Sequence, residues 1–229
     1  MENQIRRLRL ENISFGYDSR HLVFENLNFS IPEEPLVWLH GPAGQGKSSL
    51  LKILAGLVIP QGGHYFINDI DVLDLSFREF LPYRLRIGYA FETGGLLSNR
   101  SLYDNLMLPL MFHKLCSHDE ADARVMRWLK RFDLVKVKDQ RPFAVAGSQR
   151  KATVLLRAFI HQPEIALLDD ALTGLKQQGV EAFQELLQVS MEDFGLKHIL
   201  FCSEDELRLS GRMVQKIDLF KAQKVGKAA

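Results

Sequence analysis

Gly41-Pro42-Ala43-Gly44-Gln45-Gly46-Lys47-Ser48 satisfies G-x-x-x-x-G-K-[ST] at every fixed position. Glycines in such a loop let backbone N–H groups converge on phosphate oxygens with no Cβ in the way. Lys47 is placed to reach the β- and γ-phosphates of a nucleotide, and the Ser48 hydroxyl to ligate Mg²⁺. The segment in front, Leu36-Val37-Trp38-Leu39, is apolar, and the residues from Lys47 to Leu57 are mostly good helix formers that stop near Gly56. Strand, Gly-rich turn and helix in that order begin a parallel-sheet unit, with the helix dipole favouring an anion at its start. A chance match in a chain of this length is on the order of 1%. Gly41, Pro42, Ala43, Gly44, Gln45, Gly46, Lys47, Ser48 and Ser49 are therefore expected to cradle the phosphates.

A second anchor lies far downstream. Ile165-Ala166-Leu167-Leu168 is a short buried strand that ends in Asp169 and Asp170. Two aspartates closing a strand are more often a solvated turn, but opposite a phosphate loop they supply what a Mg²⁺–phosphate site needs. Asp169 is expected to hold the metal through water, and Asp170 to stand nearer the γ-phosphate.

The remainder of the composition narrows the class. The chain has 229 residues, 46% hydrophobic and 25% charged, with Gly 16 and Pro 8, which excludes a disordered, collagenous or low-complexity polypeptide. Lys+Arg 29 against Asp+Glu 28 leaves a net charge of +1, so no broad nucleic-acid surface is expected. Cys116 and Cys202 are too few for a disulfide scaffold and suit a reducing compartment. No apolar run approaches the ~18–20 residues that span a bilayer, and Met1 to Leu10 alternates Arg with Leu. The polypeptide is expected to be soluble by itself, with any membrane role supplied by a partner.

Around these anchors the chain reads as a single α/β domain over 1–229. Leu8 and Leu10, then Leu27-Asn28-Phe29-Ser30-Ile31, alternate as short strands about a turn at Gly16 to Ser19. Residues of about 95–150 read as a helical subdomain. Ser117-His118-Asp119-Glu120 is a capping box ahead of Val125, Trp128, Leu129 and Phe132 at helical spacing, and Leu106 to Phe112 is apolar but broken by Pro109. The core is expected from about 1–94 and 151–229, where Val180, Phe183, Leu187, Met191 and Phe194 mark a helix ended by Gly195 and Ile199-Leu200-Phe201-Cys202 a further buried strand. His113, Cys116 and His118 offer too few ligands for a metal and read as a solvated loop. Arg127, Lys130 and Arg131 read as a solvated helix face, and Leu106 to Phe112 as either core or a docking patch.

With these features in place, nearly the whole sequence resembles the ATP-binding-cassette (ABC) ATPases. Tyr17 stands where that family stacks an aromatic on adenine, and Ala90-Phe91-Glu92 where its Q-loop follows a strand. Val145-Ala146-Gly147-Ser148-Gln149-Arg150 lies where the LSGGQR signature falls, Thr173-Gly174-Leu175-Lys176 at the D-loop, and Cys202-Ser203-Glu204-Asp205 at the switch-histidine segment. The resemblance implies a P-loop NTPase fold with a parallel or mixed core sheet, N-terminal antiparallel strands and a helical subdomain. It implies ATP and Mg²⁺ as cofactors, with Ser48, Glu92 and Asp169 at the metal. It also implies a second nucleotide-binding subunit, with each signature loop (Ala146, Gly147, Ser148, Gln149) acting on the partner's ATP, and a membrane permease that holds the protein at the cytoplasmic face of the inner membrane. Phe91 to Leu97, with Tyr103-Asp104-Asn105-Leu106 and Pro109-Leu110, is further similar to the ATPase subunits of Mce-type lipid transporters.

Departures from that family gather on hydrolysis. Asp170 replaces the catalytic glutamate and draws the carboxylate back from the attacking water by about a bond length, where ångström-scale displacement costs roughly 100-fold. Glu204 replaces the switch histidine and cannot donate to the γ-phosphate. Glu92 replaces the Q-loop glutamine, Lys176 reverses the D-loop aspartate, and Ala146 and Ser148 stand at the signature serine and second glycine. The expected catalytic residues are Asp170, Glu204 and Lys47. The combination reads as an ATP-binding transporter subunit that grips MgATP and cleaves it slowly. Its alternative is an ATP-dependent conformational switch outside transport. A soluble P-loop kinase is disfavoured by Val145 to Arg150.

Overall fold

The computed structural model describes residues 4–18, 21–203 and 213–219. Period-two alternation builds its first sheet. Leu8, Leu10, Ile13 and Phe15 turn inward along β1 (Leu8–Phe15), as do Phe24, Leu27 and Phe29 along β2 (Phe24–Ser30). After β3 (Leu36–His40), the chain returns to this sheet as β4 (Gly62–Ile67), which turns at Asn68, with φ 59°, into β5 (Ile70–Asp71). The order is β2-β1-β4-β5, antiparallel throughout.

The second sheet is parallel, with β3 second from one edge. Its order is β6 (Ile87–Ala90), β7 (Ile165–Asp169), β8 (His198–Cys202), β3 and β9 (Val214–Asp218). Both faces of its central strands are covered, which is why they read as unbroken apolar runs. Trp38, Leu168 and Phe201 face a helical cluster, whereas Val37, Leu167 and Leu200 face the antiparallel sheet and α1 (Lys47–Leu54). The helix that begins at the phosphate loop is thereby held between the two sheets. The connection from β5 to β6 carries α2 (Phe77–Arg84).

The helical part contains α3 (Leu102–Phe112), α4 (His118–Arg131) and α5 (Gly147–Phe159). Ser117 and Glu120 form the expected capping box, and Ser101 with Asp104 forms another. Pro109 does not break α3. The fixed φ of proline suits a helix at the loss of one hydrogen bond, and Leu106, Met107 and Leu110 on either side are buried. Helix α5 runs through residue 150 and packs on both α3 and β6, so the helical part and the core share it. Gly195, with φ 77°, follows α6 (Gln177–Asp193) as expected of a helix stop. Among the described residues no helix is long and apolar enough to cross a membrane.

Candidate functional site

The phosphate loop joins the end of β3 to the start of α1. Gly46 caps that helix at φ 84°, and a Cβ there would meet the Val23 and Phe24 side chains at 2.6 and 2.7 Å. Only glycine fits. The helix has no side-chain cap, and its first backbone bond beyond the cap runs from Leu50 N–H to Gly46 O at 2.8 Å. The amides of Lys47, Ser48 and Ser49 therefore have no partner within the helix and mark an anion-binding end. Lys47 Nζ donates to the carbonyls of Gly41 and Pro42 at 2.6 and 2.7 Å. Gln45 Oε1 is buried in the same loop with no hydrogen-bond partner. Pro42, Ala43 and Gly44 are exposed.

Asp169 meets this loop from the end of β7. The Ser48 hydroxyl donates to its Oδ1 at 2.8 Å, the Cys202 thiol to the same oxygen at 3.0 Å, and the Tyr89 hydroxyl to Oδ2 at 3.2 Å. The carboxylate is 5% exposed. Burial, and then the Asp169 charge, push the Cys202 thiol up to about 12 and drive the Tyr89 phenol well above its ordinary range. Both therefore remain protonated donors at neutral pH. Neither was singled out as an Asp169 partner in the sequence, since their convergence depends on the register of β6, β7 and β8. Asp169 stands opposite Cys202 across the strand pair.

Asp170 follows in the left-handed region, with φ 47°. Its N–H donates to Cys202 O at 2.8 Å, and its Oδ1 accepts from the Thr173 hydroxyl at 2.8 Å. Glu92, two residues beyond β6, is exposed. Tyr17 is 63% exposed, set edge-on to Phe15, and its hydroxyl accepts from Ser49 Oγ at 3.2 Å. That contact brings the aromatic beside α1, where Lys52 Nζ lies over its ring at 5.8 Å from the centroid. Glu204 lies outside the described residues.

The signature residues form a separate feature. Ala146 and Gly147 are exposed at the start of α5, where Ala146 N–H donates to Gln149 Oε1 at 3.1 Å. Ala146, Ser148 and Gln149 border a depression of about 150 Å³ shared with Leu175 and Lys176. Among the described residues they make no hydrogen bond to the phosphate loop. No cluster of potential metal ligands occurs among the described residues at His113, Cys116 and His118.

Residues 24–173 match the family model described as ABC transporter. The chain belongs to the ABC transporter family. Its relatives include the methionine import ATP-binding protein MetN 1 of Acinetobacter baylyi, 29% identical over 201 residues that cover 86% of this chain and 56% of that protein. A putative ABC transporter ATP-binding protein of Clostridium acetobutylicum is 29% identical over 184 residues, covering 79% of this chain and 76% of that one. This ABC chain thus spans just over half the length of the methionine-import relative. Its fold is that of the ATP-binding cassette MJ0796 in a dimeric, post-hydrolysis state bound to ADP and phosphate, with a TM-score of 0.76, 27% identity and coverage of 86% and 88%. ATP and Mg²⁺ are the cofactors of such an ABC domain. The residues present fit them: helix amides with no partner in the helix and a lysine for the phosphates, and the hard oxygens of Ser48 and Asp169 for the metal.

Proposed function

We propose that this chain is the ATP-binding subunit of an ABC membrane transporter. The observation that carries the reading is the 2.8 Å bond between Ser48 and Asp169, which joins the phosphate loop to a strand end 121 residues away. Gly41 to Ser49 bind the phosphates, with Lys47 leaving its two loop carbonyls for the β- and γ-oxygens. Tyr17 stacks on the base. Ser48, Asp169 and Glu92 hold Mg²⁺, which neutralises phosphate charge when bound. The separation of Ala146–Gln149 from the loop supports a second nucleotide-binding subunit, each signature reaching the other's ATP.

A groove of about 430 Å³ between the core and the helical part supports a permease partner at the cytoplasmic membrane face. Phe77 and Phe112, which are 67% and 74% exposed, line it with Pro109 and Val154. Leu106 to Phe112 is therefore divided: Leu106, Met107 and Leu110 are core, and Phe112 faces the groove.

Slow hydrolysis is the finer reading. It rests on Asp170, Glu204, Ala146 and Glu92, and on the Thr173 hydroxyl that holds the Asp170 carboxylate within its own loop. Lipid cargo is narrower still and rests on Phe91 to Leu97 with Tyr103 to Leu106 and Pro109-Leu110, whereas the name of the Acinetobacter relative speaks of methionine. The same departures favour, as a second reading, an ATP-gated switch that closes without turnover.

Calorimetric titration with ATP and magnesium tests the first claim. Saturable binding that Lys47→Ala weakens by at least about 10-fold supports it, and no heat of association in the unmodified protein refutes it. Recovery of a multi-spanning membrane protein from solubilised membranes separates the transporter from the switch.

A further inference from the structure

Lys151, one turn into α5, is 8% exposed, although lysine is seldom buried without partners. Its Nζ donates to the backbone carbonyls of Phe91 and Glu92 at 3.3 and 3.0 Å. These are the two residues at which the chain leaves β6. One ammonium therefore fixes the turn from which Glu92 projects. Burial lowers the proton affinity of Lys151, and the charges of Asp170, Asp169 and Glu92 act in the opposite direction. A neutral amide could satisfy the carbonyls, but it would not offset three carboxylates gathered at one end of the site. The geometric role of the cation is to order the turn through these two carbonyls.

We propose that Lys151 is a positioning residue for the metal, holding the Phe91–Glu92 backbone against α5 so that the Glu92 carboxylate meets the Mg²⁺ carried by Ser48 and Asp169. This rests on the MgATP reading above. Lys151 touches neither metal nor nucleotide. It acts through the loop, as outer-shell partners of metal ligands do, whose loss typically costs about 10–100-fold in metal affinity.

The test is a calorimetric titration of ATP, once with magnesium and once with EDTA, for the unmodified chain, Lys151→Met, Glu92→Ala and the double variant. The expected result is that Lys151→Met weakens MgATP by about 10-fold while changing metal-free ATP by less than about 2-fold. In the Glu92→Ala background, which has no side-chain oxygen at this position, the same change costs less than about 3-fold, because the ligand it positions is already gone. Lys151→Arg, which keeps charge and donors, retains most of the affinity. Thermal unfolding without ligand reports whether Lys151→Met folds, and Lys151→Leu, which likewise has no donor for the two carbonyls, is read by the same criteria if it does not. Equal weakening with and without magnesium, or an equal penalty in both Glu92 backgrounds, overturns the proposal. Failure of the unmodified chain to bind MgATP overturns the functional reading itself, and that result appears before any variant is compared.

Discussion

Glu164 accepts the backbone N–H of Ile5 at 2.9 Å across 159 residues of chain. The same carboxylate pairs with Arg86 and takes Lys197 Nζ at 3.0 Å, and Lys197 also donates to Ile5 O at 2.9 Å. Standing just before β7, it ties the lead-in to β1 to the lower ends of β7 and β8.

Replacing Glu164 with alanine takes the acceptor from the Ile5 amide and the carboxylate from Arg86, and leaves Lys197 its bond to Ile5 O. Arg86 and Lys197 are about one-third exposed, at 34% and 32%, so water softens the loss. The expected cost is about 2 kcal/mol of stability, with Glu164→Gln costing less. Urea unfolding midpoints of the two variants measure it.

Gly46→Ala inserts a methyl group between Val23 and Phe24 at a residue with φ 84°. Strain and overpacking together are expected to cost about 2–4 kcal/mol and to disorder the amides that face the phosphates. Gly44→Ala, also at positive φ but with open space around the new methyl, is expected to cost about 1 kcal/mol. The comparison of their thermal midpoints separates the clash from the backbone strain.

Asp170→Glu restores the missing methylene. If carboxylate reach limits cleavage, single-turnover hydrolysis of bound ATP rises roughly 100-fold. A change of less than about 3-fold places the limit elsewhere, either in the Thr173 contact or in the segment that includes Glu204.

His161, at the base of the groove, has its pKa lowered from 6.5 to about 4, chiefly by burial. Below 6.5 the unfolded chain takes up a proton that the folded one refuses, so stability present at neutral pH is lost as pH falls from 6.5 toward 4. The slope from this group is at most about 1.4 kcal/mol per pH unit. Urea midpoints at pH 7 and pH 5 are expected to converge in His161→Gln relative to the unmodified protein.

The legible parts of the fold were those with strong local chemistry. The apolar run at Leu36 to Leu39, the glycine loop, and Ile165 to Asp169 each carried their own signal, as did the Ser117 capping box. Two elements left weaker traces. Helix α2 announces itself by a Ser76–Glu79 capping box that was there to be read, though Pro82 inside it argues for a loop. Strand β9 is half-exposed at a sheet edge, so it has no apolar run to display. At the site, Gly41 to Ser48 and Asp169 could be named, but Tyr89 and Cys202 could not be tied to Asp169. Their role is a matter of register between three strands, and no spacing along the chain encodes that. Lys151 was hidden for the same reason: its partners are carbonyls, which have no letter in a sequence.

The engagement of Lys47 with Gly41 and Pro42 has a kinetic side. The loop is tied to its own lysine by these two bonds. A stray sulfate or inorganic phosphate offers one cluster of oxygens, and it must compete for an ammonium already bonded to two carbonyls. On the proposed function, a triphosphate would engage the helix amides with one end while the other draws the ammonium from its two carbonyls, so that unlatching would proceed in steps from a partly docked ligand. Discrimination between a nucleotide and the small anions around it would then begin at entry, before any base is recognised.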